Sequence, residues 1–264
     1  MPASLAPVVE RLFDDAGLFP PAAHAMGDAL ARHHRARTGP HGRLVGPFLC
    51  PVARLDELEA CVAGGSPRPP ELGVIATAGE APWRRRAMLR PGVVQLEAPL
   101  HLPVPDDAAR LVRYVELPGR GDADAQVEEI AKAGARVKVR CGGATPDAVP
   151  SPRRLAQVVA ACARLRVPFK ATAGLHNPFC IQPNGKDGPG RPGQHGFLNL
   201  LAAASAALVG EGVDGLTELL GTPADKGDQV IVRIDRSSRS LVASIGTCSI
   251  DEPVGHLVEL GLLS

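Results

Sequence analysis

The string VPFKATAGLHNPFC, residues 167–180, places Lys170 inside an apolar run that has the length and composition of a buried β-strand. A buried ammonium group without a partner is costly, so a lysine here needs charged neighbours or a chemical role. Strand side chains alternate between two faces, so Lys170 shares a face with Thr172 and, if the strand continues, with His176. A lysine whose pKa is lowered by neighbouring cations is a nucleophile, because its neutral amine attacks carbonyl carbons.

Three earlier apolar runs carry charged side chains with the same alternation. Residues 136–143 put Lys138 and Arg140 on one face, while residues 111–118 and 93–100 contribute Glu116 and Glu97. These charges lie near the C-terminal ends of their strands, where barrel enzymes have their active sites. With Lys170, three cations face two carboxylates, and this cationic excess predicts a lowered lysine pKa. The expected catalytic residues are Lys170, Lys138 and Glu116, and the expected substrate-binding residues are Arg140, Glu97 and Thr172.

A long Gly/Pro-rich connection, residues 174–194, follows the lysine run and is framed by His176 and His195. Connections of this length are often functional lids, so we expect it to bring both imidazoles over Lys170 as catalytic acids or bases. An alternative is that His176, Cys180 and His195 supply three ligands to a catalytic zinc ion. The main expectation is a site without metal or cofactor.

Cys248 lies at the end of the last apolar run, in SIGTCSIDEP, and is predicted to contact substrate at the barrel mouth. As a nucleophile it would need a nearby base, and the simpler alternative is a small buried thiol. Ser249 and Glu252 have the spacing of a capping box, which predicts the start of the final helix.

Apolar runs of strand length alternate with helical patterns along the chain, which predicts parallel βαβ units. We therefore predict an α/β fold of the (β/α)8 barrel type with an N-terminal helical segment over residues 1–40, and an open doubly wound sheet is the alternative. The predicted strands are residues 44–50, 72–77, 93–100, 111–118, 136–143, 168–174, 229–235 and 240–246. The predicted helices between and after them include residues 53–64, 122–135, 151–166 and 195–212.

Composition limits the function classes. The 264 residues are 45% hydrophobic, which suits one barrel domain over residues 1–264. The net charge of +1 and the 3% aromatic content do not suggest a nucleic-acid surface. The absence of a long apolar run and the six scattered cysteines favour a cytoplasmic protein with reduced thiols. The expected partner is a small-molecule substrate rather than nucleic acid or a membrane, and a homo-oligomer is left open.

The string FKATAG resembles the lysine-bearing strand of deoxyribose-phosphate aldolase and related class I aldolases, in which Lys-x-[Ser/Thr]-x-Gly carries the imine-forming lysine on the sixth strand. The resemblance implies that Lys170 is that lysine, on the sixth predicted strand. The aldolase has a second lysine on the next strand, in a KASGG-like segment, and an aspartate on its fourth strand. This chain offers Lys138 on the preceding strand and Glu116 on the fourth predicted strand instead.

Over its length, the chain also resembles an uncharacterised bacterial family with the strings KATAGLHHP and HGF.N. Asn177 replaces the second histidine of the first string, and His195, Gly196, Phe197 and Asn199 match the second. That resemblance implies a shared site at Lys170, His176 and His195.

These observations predict a lyase or aldolase-like enzyme whose lysine forms an imine with a small anionic carbonyl substrate. One alternative is a barrel isomerase or metal-assisted hydrolase that uses the Lys/Arg cluster to bind anions. Another is a non-catalytic binding protein whose charged strand faces are a satisfied ion-pair network.

Overall fold

Eight parallel strands close into a barrel in sequence order, β1 to β8, in the computed structural model of the chain. The structure describes residues 5–76, 92–102, 110–143, 149–183 and 193–263. The closed barrel confirms the predicted (β/α)8 fold and excludes the open sheet. The strands are β1 Phe13–Asp15, β2 Val45–Pro51, β3 Leu72–Ile75, β4 Val93–Glu97, β5 Val112–Glu116, β6 Arg136–Arg140, β7 Phe169–Thr172 and β8 Val242–Thr247.

Helices surround the barrel, and they include every helix predicted after residue 40. They are α1 Ala6–Val9, α2 Met26–Thr38, α3 Leu55–Ala63, α4 Ala123–Lys132, α5 Pro152–Leu165, α6 Phe197–Leu208, α7 Val213–Gly221, α8 Gly227–Ile231, α9 Ser238–Leu241 and α10 Asp251–Glu259. None of the helices in the described part of the chain combines the length and the apolar character needed to cross a bilayer.

The N-terminal segment departs from the prediction because it contains the first barrel strand. Residues 13–15 pair in parallel with both β2 and β8 and so close the barrel. The sequence Phe-Asp-Asp lacks an apolar run, so its pairing is determined by neighbouring strands rather than by local propensity. Residues 1–40 therefore supply a strand as well as helices.

The predicted strand at residues 229–235 is wrong. Its first part belongs to α8, where Val230 and Ile231 are both buried while Val232 is 75% exposed. Two consecutive buried residues break the alternation that a half-buried strand requires, and an apolar run of three residues does not distinguish a helix from a strand. The missed β1 and this extra strand cancel, so the predicted count of eight was nevertheless correct.

The apolar strand faces pack outward against the helices, in two groups. One group joins β1 and β5 to β8 with α4 to α7 and includes the edge-to-face contact of Phe13 with Phe197. The other joins β2 to β4 with α2 and α3 around Phe48 and Leu58. Because the apolar side chains face outward, the alternate positions that carry charge face the barrel interior.

Helix starts give one confirmed and one wrong prediction. The Ser151 hydroxyl accepts a hydrogen bond from the backbone N–H of Arg154 at 3.1 Å, so it caps α5 as predicted. The predicted capping box of Ser249 and Glu252 does not form, because α10 begins at Asp251 without a side-chain cap. The Glu252 carboxylate instead lies beside His176.

Candidate functional site

Lys170 lies at the centre of the barrel, sealed between two carboxylates. Its Nζ donates to Asp14 Oδ2 at 2.6 Å and to Glu97 Oε1 at 2.5 Å, and the lysine is completely buried. The ammonium also lies 5.3 Å from the centre of the Tyr114 ring, a cation–π distance. The lysine therefore has charged partners on two sides and an aromatic face on a third.

Asp14 is fixed by neutral donors as well as by the lysine. The Ser244 hydroxyl and the Gln95 amide donate to its Oδ2 at 2.9 and 3.0 Å. The other carboxylate oxygen faces Gly46, where an added Cβ would lie 2.5 Å from Oδ1. A glycine is thus required on β2 to leave room for the buried carboxylate.

The pairing continues from Glu97 toward the C-terminal ends of the strands. Glu97 Oε2 lies 2.7 Å from Lys138 Nζ, and Lys138 Nζ lies 3.1 Å from Glu116 Oε2. Glu116 Oε1 then accepts from Arg140 Nε at 3.1 Å. We call this alternating series the charge chain. Its members, in order, are Asp14, Lys170, Glu97, Lys138, Glu116 and Arg140.

Solvent exposure rises steadily along the charge chain. The side chains of Lys170 and Glu97 are 0% and 3% exposed, and that of Lys138 is 10% exposed. Glu116 and Arg140, the last residues of β5 and β6, are 41% and 49% exposed. The charge chain therefore runs from a dry interior to the C-terminal mouth of the barrel.

The charge chain holds three cations and three carboxylates, so the cationic excess expected from the sequence is absent. The third carboxylate is Asp14, which sequence analysis missed. The pKa of Lys170 is raised, not lowered: burial acts to lower it, but the charges of Asp14 and Glu97 outweigh that effect. The expectation of a neutral, nucleophilic Lys170 in the resting protein is therefore wrong.

The two glutamates of the charge chain have correspondingly lowered pKa values. Burial acts to raise the pKa of Glu97, but the charges of Lys170 and Lys138 outweigh it and lower the pKa to about 2. At Glu116, burial likewise opposes the charges of Lys138 and Arg140, and the pKa is lowered. The two glutamates are therefore ionised near neutral pH.

The first strand shifts the strand numbers of the candidate residues by one. Lys170 lies on β7 rather than on the sixth strand, Lys138 lies on β6, and Glu97 lies on β4. Lys138 and Lys170 are register partners on neighbouring strands, and both reach Glu97 across the barrel. Thr172, at the end of β7, faces inward beside Gly246.

The contacts described for His195 and Cys180 are with residues outside the charge chain. The His195 ring nitrogen Nε2 lies 2.7 Å from the carbonyl oxygen of Pro150, and burial lowers the pKa of this histidine. Cys180 is buried, and its backbone N–H donates to the Asn199 side chain. Within the described ranges, no cluster of three or more His, Cys, Asp or Glu residues could hold a metal ion. Residues 184–192 of the expected lid lie outside the described residues.

His176 instead meets Cys248 at the C-terminal mouth. His176 Nε2 lies 3.6 Å from Cys248 Sγ, and His176 Nδ1 lies 2.7 Å from Glu252 Oε2. The Nδ1 contact is an ion-pair distance without the alignment of a good hydrogen bond. We call Cys248, His176 and Glu252 the rim cluster. It follows the ends of β7 and β8 and continues into the first turn of α10.

Comparison with models of known protein families finds no match, and a search of curated proteins finds none. The contacts and charges described above therefore carry the functional argument.

Proposed function

We propose that this protein is a lyase or aldolase-like enzyme that forms an imine between Lys138 and a small anionic carbonyl substrate. The observation that carries the proposal is the Glu97 bridge: one carboxylate oxygen pairs with Lys170 and the other with Lys138. The bridge couples two lysines that differ in burial. One is a fixed interior cation, and the other lies next to the mouth.

Lys138 suits the nucleophilic role better than Lys170 for two reasons. Lys170 is fully buried and its raised pKa keeps it charged, so it lacks both access and a free amine pair. Lys138 is also buried, with a side chain that is 10% exposed, but it is bordered by Glu116 and Arg140, which lead to solvent. The role predicted for Lys170 therefore passes to Lys138, and Lys170 becomes the cation that orients Glu97.

The resemblance to class I aldolases supports this exchange of roles. Those enzymes carry the imine-forming lysine on strand six, a second lysine in a KASGG-like segment on strand seven, and an acid on strand four. With β1 counted, the corresponding strands here carry Lys138, Lys170 in KATAG, and Glu97. The fourth-strand acid is a glutamate instead of an aspartate, and its longer side chain spans both lysines.

The mouth residues supply the remaining chemistry. Arg140 uses Nε for Glu116, and among the described residues no contact is given for its terminal nitrogens, which we assign to binding an anionic group of the substrate. An anion on Arg140 would offset the guanidinium charge that lowers the Glu116 pKa, so Glu116 becomes a better base. Glu116 then accepts a proton from Lys138, the free amine adds to the carbonyl carbon, and water leaves as the C=N bond forms.

Borohydride trapping with a panel of small aldehydes and keto acids tests the proposal. We expect a reduced adduct, located by peptide mass mapping, on Lys138. Lys132 is the matched control because its side chain is 73% exposed and its reaction reports non-specific labelling. Lys138→Gln should abolish the specific adduct.

Two results would contradict the proposal. One is labelling of Lys138 no faster than that of Lys132 with every carbonyl compound in the panel. The other is a specific adduct on Lys170, which would restore the role predicted from the sequence.

The second candidate function is that of a non-catalytic binding protein, and it is favoured by the equal numbers of paired cations and carboxylates in the charge chain. Borohydride trapping on the wild-type protein separates the two. If Lys138 serves only as an ion-pair partner, it should be labelled no faster than Lys132, whereas an imine-forming Lys138 should be labelled specifically.

A further inference from the structure

The rim cluster has the parts of an activated nucleophile, and the proposed imine chemistry uses none of them. A thiol, an imidazole and a carboxylate lie in series, with 3.6 Å from Cys248 Sγ to His176 Nε2 and 2.7 Å from His176 Nδ1 to Glu252 Oε2. Two chain segments supply the three groups: Cys248 and Glu252 lie four residues apart after β8, and the fold brings His176 to them from the segment after β7. A nucleophile next to a base that is itself oriented by a third group is the geometry of covalent catalysis.

We propose that Cys248 is a nucleophile that adds to the carbonyl carbon of a small electrophile at the barrel mouth, with His176 as its general base and Glu252 as the group that positions His176. The chemical class of ligand is an aldehyde or an activated acyl compound. This site is separate from Lys138 and goes beyond the proposed imine chemistry.

Glu252 determines which nitrogen of His176 carries the proton. A carboxylate beside Nδ1 favours a proton on that nitrogen, which leaves the lone pair of Nε2 directed toward the thiol. His256 further fixes the segment, because its Nδ1 lies 3.2 Å from the His176 carbonyl oxygen. The imidazole is thus held from both its ring and its backbone.

The surroundings of the sulfur explain why a base is needed. Burial raises the pKa of the Cys248 thiol, and the negative charges of Glu252 and Asp15 act in the same direction. Backbone N–H groups of Ala22 and Cys248 act in the opposite direction without reversing the result. Near neutral pH the group is therefore a thiol, and its proton must leave during the attack.

The addition step is balanced without another reactant. The S–C bond forms as the electron pair of the carbonyl π bond moves to oxygen, and His176 Nε2 takes the thiol proton. With an aldehyde, His176 returns that proton to the oxygen, and the product is a thiohemiacetal. With an acyl compound, the electron pair on oxygen reforms the C=O bond, the bond to the leaving group breaks, His176 gives its proton to the leaving group, and a thioester remains on Cys248.

Alkylation by iodoacetamide and acetylation by p-nitrophenyl acetate, each followed by peptide mass mapping, test the proposal on the full chain. His176→Gln keeps a polar side chain of similar size but removes the base, so labelling of Cys248 should slow by about tenfold or more. Glu252→Gln should slow it by about threefold, since Glu252 is half exposed and acts through His176. Cys61, which is also partly exposed, is the internal control, and its labelling should not change.

Equal labelling of Cys248 in the wild type and His176→Gln would overturn the proposal, as would alkylation without any acetylation by the ester. A His176→Gln variant that also labels Cys61 faster has loosened its fold, and His176→Asn then replaces it in the same comparison. Borohydride adducts on Lys138 are read on a different peptide, so the imine proposal and the thiol proposal can fail independently.

Discussion

The inner and outer halves of the charge chain both pair acidic with basic side chains, but the inner half lies in a dry interior and the outer half is in contact with water. In the inner half, Asp14, Lys170 and Glu97 are essentially dry, and two neutral donors reach the same Asp14 oxygen, Oδ2, that pairs with Lys170. In the outer half, Glu116 and Arg140 are each about half exposed and hold one another by a single 3.1 Å hydrogen bond. Lys138 joins the two halves.

The contrast indicates that the two halves of the charge chain have different roles. Removing one partner from a dry pair leaves an uncompensated charge in a low dielectric, whereas water replaces a lost partner at the mouth. The inner half therefore holds the barrel interior in one arrangement, and the outer half is free to exchange its partners for a ligand. The following predictions test that division, from the largest expected effect to the smallest.

Lys170→Met should lower the free energy of unfolding more than any other change considered. The substitution leaves the Asp14 and Glu97 carboxylates without their shared cation, so we expect a loss of about 3–5 kcal/mol in the free energy of unfolding. Urea denaturation at pH 7 measures it. Lys132→Met, which breaks an exposed pair with Glu128, is the matched control and should change stability by less than about 0.5 kcal/mol. Equal losses in the two variants would remove the distinction between the halves.

Lowering the pH should cause the second largest loss in the free energy of unfolding, through the inner half of the charge chain. The folded pKa of Glu97 is about 2 against an ordinary value of 4.5, so its contribution is present above pH 4.5 and is lost as pH falls toward 2. The lowering corresponds to about 3 kcal/mol at most. Denaturation curves between pH 7 and pH 2.5 should show this decline. Glu97→Gln should flatten it, and Glu128→Gln should not.

Ser244→Ala tests how much the uncharged hydrogen-bond donors around Asp14 contribute to stability. It removes a buried hydroxyl that donates to an ionised carboxylate at 2.9 Å, so we expect a loss of about 2 kcal/mol in the free energy of unfolding. Thermal melting measures the change, and Ser240→Ala, at an exposed position, is the comparison. An unchanged melting temperature would mean that Gln95 and Lys170 suffice to hold Asp14.

Arg140→Gln should have the smallest effect on stability, under about 1 kcal/mol, because its pair with Glu116 is half exposed. The same change should abolish or strongly weaken imine trapping of anionic carbonyl compounds, while trapping of neutral aldehydes on Lys138 persists. Parallel melting and trapping experiments measure both effects. A large loss of stability would assign Arg140 to the inner half.

The sequence was informative wherever apolar periodicity was strong. Seven of the eight observed strands overlap predicted runs, and the alternation in β6 and β7 correctly placed Lys138 and Lys170 on the interior face. The strand that was missed, β1, is three residues long and has two acids, so no periodic signal marks it. Its recognition depends on pairing with β2 and β8, which are distant in sequence.

The one missed strand changed the predicted charge balance of the site. Because Asp14 lies on β1, its omission produced an apparent cationic excess and a lowered pKa for Lys170, and it shifted the numbers of the strands from β2 to β7. The pair Asp14-Asp15, two residues before Gly17, was the available signal, but consecutive acids in a short segment are ordinary at a surface. The contact of His195 could not be predicted for a different reason: the partner of its imidazole is a backbone carbonyl, which sequence patterns do not reveal.

The strict alternation of sign along the charge chain also constrains how this protein can change over evolutionary time. A single replacement of Lys170 or Glu97 leaves an unpaired charge in a dry interior. Simultaneous loss of a neighbouring acid and base leaves no unpaired charge there. Divergent copies of this barrel should therefore gain or lose inner charges in pairs, and β1 should covary with β7. Glycine at position 46 should accompany the pair, since only a chain that keeps Asp14 needs the space.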